Sequence, residues 1–170
     1  HRRFLRAFGR LALHNALTFL SEEVISLNIN AKYFGTVSYD KEDLIFLPDG
    51  LFGFESCKNF LPIPLHKSDD SFISLQSTDD ETLSFILMNP FTFFPDYSPV
   101  LSEKDKKDLK IESEEEVSYY VICVLNDSLN SSTVNLKAPL AVNTKSRVGK
   151  QIILDSPSYG FKHAVPYDSK

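Results

Sequence analysis

Tryptophan is absent from this chain, and cysteine occurs only at positions 57 and 123. Cys123 lies inside the apolar run YYVICVL, where a free thiol behaves as a small hydrophobe. Nothing else in the sequence points to the oxidising compartment that a disulfide needs, so two reduced thiols are expected. Long hydrophobic runs are also missing. No stretch approaches the roughly 20 apolar residues of a membrane span, so no membrane partner is expected. The start carries Arg2, Arg3, Arg6 and Arg10 followed by LALHNALTFL, which superficially resembles a secretion signal. His14 and Asn15 interrupt that apolar stretch, and no small-x-small cleavage site follows. The expected location is therefore cytoplasmic.

Catalytic signatures are equally scarce. The histidines are His1, His14, His66 and His163, and none stands at metal-ligand spacing with another His, a Cys or a carboxylate pair. His66 lies near Asp69 and Asp70 in a polar stretch and reads as solvated. Gly50 and Gly53 in PDGLFG make a turn and not a phosphate loop, because no strand–turn–helix unit surrounds them. Gly-x-Ser-x-Gly and Cys-x-x-Cys patterns are absent. Acids do cluster at Asp69–Asp70, at Asp79–Asp80–Glu81 and at Glu114–Glu115–Glu116. A glycosidase needs two carboxylates facing each other across a cleft, and adjacent loop acids do not supply that. They read as solvated charge or as a partner-facing surface. No catalytic residue, cofactor or metal is expected.

What remains is a chain of ordinary size and unusual aromatic content. Its 170 residues make one domain, long enough to bury close to ~70% of the unfolded surface. Fourteen Phe and seven Tyr supply bulky core material. The net charge is −5, and the first twenty residues hold four arginines and no acid, so the rest is more acidic than the total implies. Direct binding to nucleic acid is disfavoured.

Residues 4–20 read as an amphipathic helix, with Phe4, Phe8, Leu11 and Asn15 at helical spacing. From Ile29 the period changes to that of strands. Residues 33–39 alternate, with Tyr33, Val37 and Tyr39 on one face. Residues 44–47 form a short apolar run. In 60–65, Pro62 and Pro64 lack N–H groups on one side, which suits an edge strand. Runs at 72–76 and 83–88 flank a turn from Ser77 to Thr82. The stretch 89–103 reads as a structured loop, and Ser102 can cap a helix over 103–111. Residues 117–125 are the most apolar strand and belong at the centre. Residues 134–142 alternate, with Val134, Leu136, Ala138, Leu140 and Val142 on one face. A turn over 145–150 leads to a last strand at 151–155, and a tail begins at Ser156. The fold class expected is all-β in the main: a small antiparallel barrel-like domain with one short helix. The chain divides into a basic extension over 1–28, a β domain over 29–163 and a polar tail over 164–170.

Two aromatic segments are too particular to be generic surface. LPDGLFGFE (47–55) gathers Leu51, Phe52 and Phe54 around two glycines, either as a plug folding back on the core or as an exposed docking loop. FFPDY (93–97), with Phe94, Asp96 and Tyr97, has the same character. Together with KYFG (32–35), LQSTDD (75–80), NPFTFFPDY (89–97) and VNLKAPLAVNTKSRVGKQIILD (134–155), the order of segments resembles the FliW family of bacterial flagellar assembly factors, from about residue 29 to 163. Residues 1–26 fall outside that pattern, and Phe52 stands where a proline is often found.

The resemblance implies a small, barrel-like cytoplasmic protein that is not an enzyme. It implies binding to CsrA, a translational regulator that represses flagellin synthesis, and to flagellin as a competing partner. For the contact surface the acids Asp79, Asp80, Glu81, Asp96, Glu103, Asp105 and Asp108 would steer a basic partner. Phe52, Phe54 and Phe94 would be the desolvated anchors, with Leu51 and Tyr97 beside them. Two other classes stay open on residues alone: a small hydrolase using surface carboxylates, and a structural module of a larger assembly.

Overall fold

The computed structural model describes residues 26–166 of the chain, so the amphipathic helix expected over 4–20 lies outside the described residues. The first strands, β1 (Leu27–Ala31) and β2 (Gly35–Tyr39), form a separate antiparallel hairpin with Ile29 opposite Val37. Gly35 has φ +65°, which ends the extended run expected over 33–39 and puts Tyr33 and Phe34 in the turn.

The remaining strands are β3 (Ile45–Phe46), β4 (Asn59–His66), β5 (Asp69–Ser77), β6 (Ser84–Met88), β7 (Val117–Val124), β8 (Thr133–Val134), β9 (Leu140–Asn143), β10 (Gly149–Gln151) and β11 (His163–Ala164). They form one antiparallel sheet in the order β10-β9-β7-β6-β5-β4-β3, with β8 pairing both β7 and β11. The apolar run expected at the centre is β7, which lies between β6 and β9. β3 reaches only Asn59 and Phe60 of β4. Pro62 and Pro64 therefore fall where β4 has β5 alone as ladder partner, and their missing donors cost nothing.

The ends of the sheet approach each other. Phe46 N–H donates to Arg147 O at 3.0 Å, and one bridge joins Phe46 to Val148. Gly149 permits this approach, since a Cβ there would sit 2.7 Å from Leu47 Cδ2. The contact is a single bridge and not a ladder, so the sheet is barrel-like without closing fully.

Further boundaries differ from the sequence pattern. Val134, Leu136, Ala138, Leu140 and Val142 are all buried, as alternation requires, but the run is two strands. The Asn135 side chain accepts the N–H of Ala138 at 2.9 Å and bends the chain, and Pro139 cannot donate to a ladder. β8 then pairs Cys123 of β7, while β9 pairs Tyr120. The strand expected over 151–155 is β10, over 149–151; beyond it Ile152 N and Leu154 N donate to Pro139 O and Lys137 O, so the chain runs beside the bend. Finally, Ala164 belongs to β11, and Val165 is buried with its N–H on Ser132 O, so the folded part extends past residue 163 into the segment expected as a tail.

Two short helices occupy the loop between β6 and β7. Helix α1 (Pro90–Phe93) starts where the Asn89 side chain accepts the N–H of Phe91 at 3.0 Å. Helix α2 (Glu103–Asp108) is capped by Ser102, whose hydroxyl accepts the N–H of Asp105 at 3.1 Å. It stops short of the expected residue 111 because Lys110 turns into the left-handed region at φ +53°.

The main core lies inside the curved sheet around Leu47, Phe60, Leu75, Leu87, Tyr120 and Leu140. Burying a side chain such as Phe60 contributes about 1.5–3 kcal/mol. A second cluster packs the loop of α1 and α2 against β7 and β8, and a third seats Ile29 and Ala31 of the hairpin on Leu61 and Ile63.

Candidate functional site

The segment between β3 and β4 folds as nested turns: Gly50 N–H donates to Leu47 O, Phe54 N–H to Leu51 O and Cys57 N–H to Phe54 O. Gly50 has φ +67°, and a Cβ there would lie 2.7 Å from both Glu55 Cα and Phe54 O. The reversal separates the apolar side chains of the segment. Leu51 is 1% exposed and is the plug on the core, whereas Phe52 is 53% and Phe54 41% exposed. This corrects the expectation for Leu51, which is not available to a partner in this fold. Phe52 N–H donates to the side-chain oxygen of Gln151 at 2.9 Å, and the Phe54 ring stands edge-on to Phe85 at 4.9 Å.

The acidic turn after β5 is built by its own side chains. Ser77 Oγ accepts the N–H groups of Asp79 and Asp80, and Asp80 Oδ1 accepts both the N–H and the hydroxyl of Thr82. Asp79 Oδ2 accepts the N–H groups of Lys58 and Asn59 at 2.7 and 2.9 Å, tying this turn to the end of the Phe52 loop. Burial pushes the Asp79 carboxyl up, but the N–H groups of Asn59 and Lys58 outweigh it and hold it below the ordinary carboxylate value. The Asp80 carboxyl is also lowered, first by the Thr82 hydroxyl and then by its N–H.

Gln76 joins the third loop. It is fully buried, its two amide N–H groups are shared among Ser77 O, Glu81 O and Leu83 O, and its oxygen accepts Lys32 N–H at 2.8 Å. Glu81 Oε1 accepts Asn30 N–H at 3.3 Å. The hairpin turn bearing exposed Tyr33 and Phe34 is thus fixed to the acidic turn. Hydrogen bonds thus join the Phe52 loop, the acidic turn and the hairpin turn, which carry the exposed rings of Phe52, Phe54, Tyr33 and Phe34 and the exposed carboxylates of Asp80 and Glu81.

The other expected contact residues lie elsewhere. Phe94, Asp96 and Tyr97 are beyond the far end of β6, and the strand's five residues separate its ends by roughly 13 Å. Tyr97 is 5% exposed, its hydroxyl donates to Leu136 O at 2.8 Å, and burial raises its pKa. It is a core residue, which corrects its place among partner contacts. Phe94 is half-buried against the same cluster, Asp96 is exposed, and the open ring in this region is Phe91.

Glu103, Asp105 and Asp108 do not make a continuous acidic face. Lys106 pairs with Glu103, Lys150 with Asp105 at 2.7 Å and Asp108 at 2.9 Å, and Lys104 with Asp108. The hydrogen bonds from Lys104 and then Lys150 hold the Asp108 carboxyl down at about 2. Asp105 and Asp108 latch α2 to β10 through Lys150, Glu103 is paired within the helix, and the charge of all three is matched locally.

Gln76 and Gln151 are positions that the sequence pattern does not single out. Each is a polar residue beside apolar neighbours in a strand, SLQS and KQII, where a buried amide must find partners. Tyr33 and Phe34 stand in the KYFG segment, whose alternation reads as strand and hides the turn.

Among the described residues no group of three or more His, Cys, Asp or Glu is placed to hold a metal ion, and no helix is long and apolar enough to cross a membrane. The fold and the site define a β-sheet scaffold that displays a fixed aromatic and acidic loop surface. The FliW protein family matches residues 28–165. The flagellar assembly factor FliW of Anoxybacillus flavithermus is 38% identical over 139 residues, covering 82% of this chain and 94% of that protein. The FliW of Thermoanaerobacter pseudethanolicus is 37% identical over the same length, covering 82% and 93%. A crystal structure of the flagellar assembly factor FliW superposes with a TM-score of 0.78 at 33% identity, covering 85% of this chain and all of that one. This chain belongs to the FliW family, and the relatives it matches are flagellar assembly factors.

Proposed function

We propose that this protein acts in flagellar assembly by holding other proteins and not by catalysis. On this reading it works in the cytoplasm, binds the translational regulator CsrA, and relieves repression of flagellin synthesis. Flagellin is the competing partner: when it accumulates it occupies the protein and frees CsrA. Family membership supports the first part. One structural observation supports the binding mode, namely that Phe52 and Phe54 are exposed on a loop pinned by Gln151 and tied through Asp79 to the turn that carries Asp80 and Glu81. CsrA binds RNA and so presents basic surface to phosphate. Carboxylates on a turn joined to the ring-bearing loop would speed encounter with such a partner and repel RNA from the complex, while the rings supply affinity.

Rates of association with CsrA test both roles. Asp80→Asn with Glu81→Gln is expected to slow association and flatten its salt dependence, leaving dissociation nearly unchanged. Phe52→Ala is expected to speed dissociation and leave the salt dependence alone. Asp79 is kept, because it holds two backbone donors. Flagellin titrated into a preformed complex is expected to release CsrA, since negative coupling between partners is reciprocal. A stable ternary complex at saturation would refute the competition. Association at the wild-type rate by the charge-neutral variant at low salt would remove the steering role.

A further inference from the structure

Strand β10 is three residues long and is laddered on one edge, to β9, with Lys150 opposite Ala141 and Gln151 opposite Leu140. Consecutive side chains of a strand point to opposite faces, and here each face carries a different tie. On one face the Lys150 ammonium donates to Asp105 at 2.7 Å and to Asp108 at 2.9 Å, both on α2. On the other the Gln151 side chain accepts the N–H of Phe52 at 2.9 Å and donates to Ala138 O at 3.2 Å. The α2 loop and the loop that displays Phe52 are therefore fastened to neighbouring residues of one short strand.

The tie at Lys150 depends on charge. The Lys150 side chain is 20% exposed and that of Asp105 16%, so water solvates neither charge fully. Burial alone would lower the Lys150 pKa, but the hydrogen bonds and charges of Asp105 and Asp108 outweigh it and raise the value. Without those carboxylates the ammonium has to shift toward water. Helix α2 has other anchors, since Leu109 is buried and the Asn143 amide donates to Leu109 O at 2.9 Å. The strand is the part less able to resist. Just before it, Arg147 stands in the left-handed region at φ +60°, a strain that movement of the strand would relieve.

We infer that β10 is a lever through which the ion pairs of Lys150 control the Phe52 loop. While Asp105 and Asp108 hold Lys150, Gln151 stands where it pins Phe52; when they let go, the strand shifts and the loop is unpinned. The inference rests on the reading of that loop as the partner surface and adds how the surface is regulated: a change at α2 is felt at Phe52 because the two ties of β10 are made or lost together.

Exchange of the Phe52 amide hydrogen, followed by NMR on the full chain, tests the lever without any partner. Asp105→Asn with Asp108→Asn is expected to speed it about tenfold or more, while the amides of β4 and β5 keep their rates. Lys150→Met breaks the same pairs from the strand's side and is expected to do likewise. With Gln151→Leu already in place neither change should add anything, because the link is cut. The inference is overturned if both variants leave Phe52 at its wild-type rate, or if Phe52 responds equally with Gln151→Leu present. Equal acceleration of every amide in both variants also overturns it, since that is loss of global stability. Affinity for CsrA should fall in the same variants. Faster exchange at Phe52 with unchanged CsrA affinity would keep the lever and remove this loop from the partner surface.

Discussion

The side-chain oxygen of Gln151 accepts the backbone N–H of Phe52 at 2.9 Å, joining residues 99 positions apart, while its amide donates to Ala138 O at 3.2 Å. One buried side chain therefore fixes the loop that displays the aromatic ring. Gln151→Leu is expected to leave both backbone groups without this partner and to cost about 1–3 kcal/mol. Urea unfolding measures that cost. Binding through Phe52 should weaken by more than stability alone explains, and Gln151→Glu, which keeps an acceptor for Phe52, should recover part of it.

The two glycines of the same loop are expected to respond differently. Gly53 has φ +85° and open space within 4 Å of where a Cβ would sit, so Gly53→Ala carries only the left-handed strain of about 1–2 kcal/mol. Gly50→Ala carries the same strain and a collision with the backbone of Glu55 and Phe54. Melting temperatures should fall further for Gly50→Ala. Equal losses would mean that the loop relaxes to admit the methyl group.

Asp79 gives a pH signature. Its folded pKa lies below the ordinary carboxylate value, so the unfolded state takes up protons first as the pH falls. The stabilisation is complete above the unfolded value near 3.8 and is lost as the pH drops through the lower folded value. Asp79→Asn is expected to be less stable than wild type at neutral pH, with the gap closing below about pH 4. Denaturant melts at a series of pH values measure the gap. A gap that persists unchanged at pH 2 would remove the carboxylate's charge from the account.

Residues 27–166 are expected to fold without the first 26. The hairpin they begin with is seated on Leu61 and Ile63 by its own Ile29 and Ala31. A chain starting at Leu27 should unfold cooperatively within a few degrees of the full-length midpoint, since ~1 kcal/mol moves a domain of this size by roughly 2–4 °C. A drop beyond about 10 °C would mean that the first 26 residues supply core contacts.

Much of the sheet was legible because burial has a period. The apolar run of β7 marked the centre, the two prolines of β4 marked a side without a ladder, and the alternation over 134–142 named the correct inward residues. Hydrogen-bond partners were not legible, because they are chosen across the chain. The bend at Asn135 preserves the alternation while splitting the strand, and β11 is short enough to vanish in a tail of prolines and polar residues. At the site, composition marked the right loops but not which residue faces out. Leu51 and Phe52 exchange the roles of plug and display according to the reversal at Gly50, which no hydrophobicity pattern records. Asp105 and Asp108 looked available because Lys150, which pairs with both, lies more than forty positions away.

The seam between Phe46 and Val148 sets an order of events during synthesis. At about 5–20 residues per second, the ribosome needs on the order of 5–20 s to progress from one to the other. Through that interval β3 and β4 can pair, and β5 and β6 can add to them, but the growing sheet keeps an open side until the turn carrying Arg147 emerges. A nascent chain stalled before residue 147 would hold a curved sheet with a free edge, the state most prone to pairing with a stranger. The last few strands to leave the ribosome are thus the ones that make the earlier ones safe.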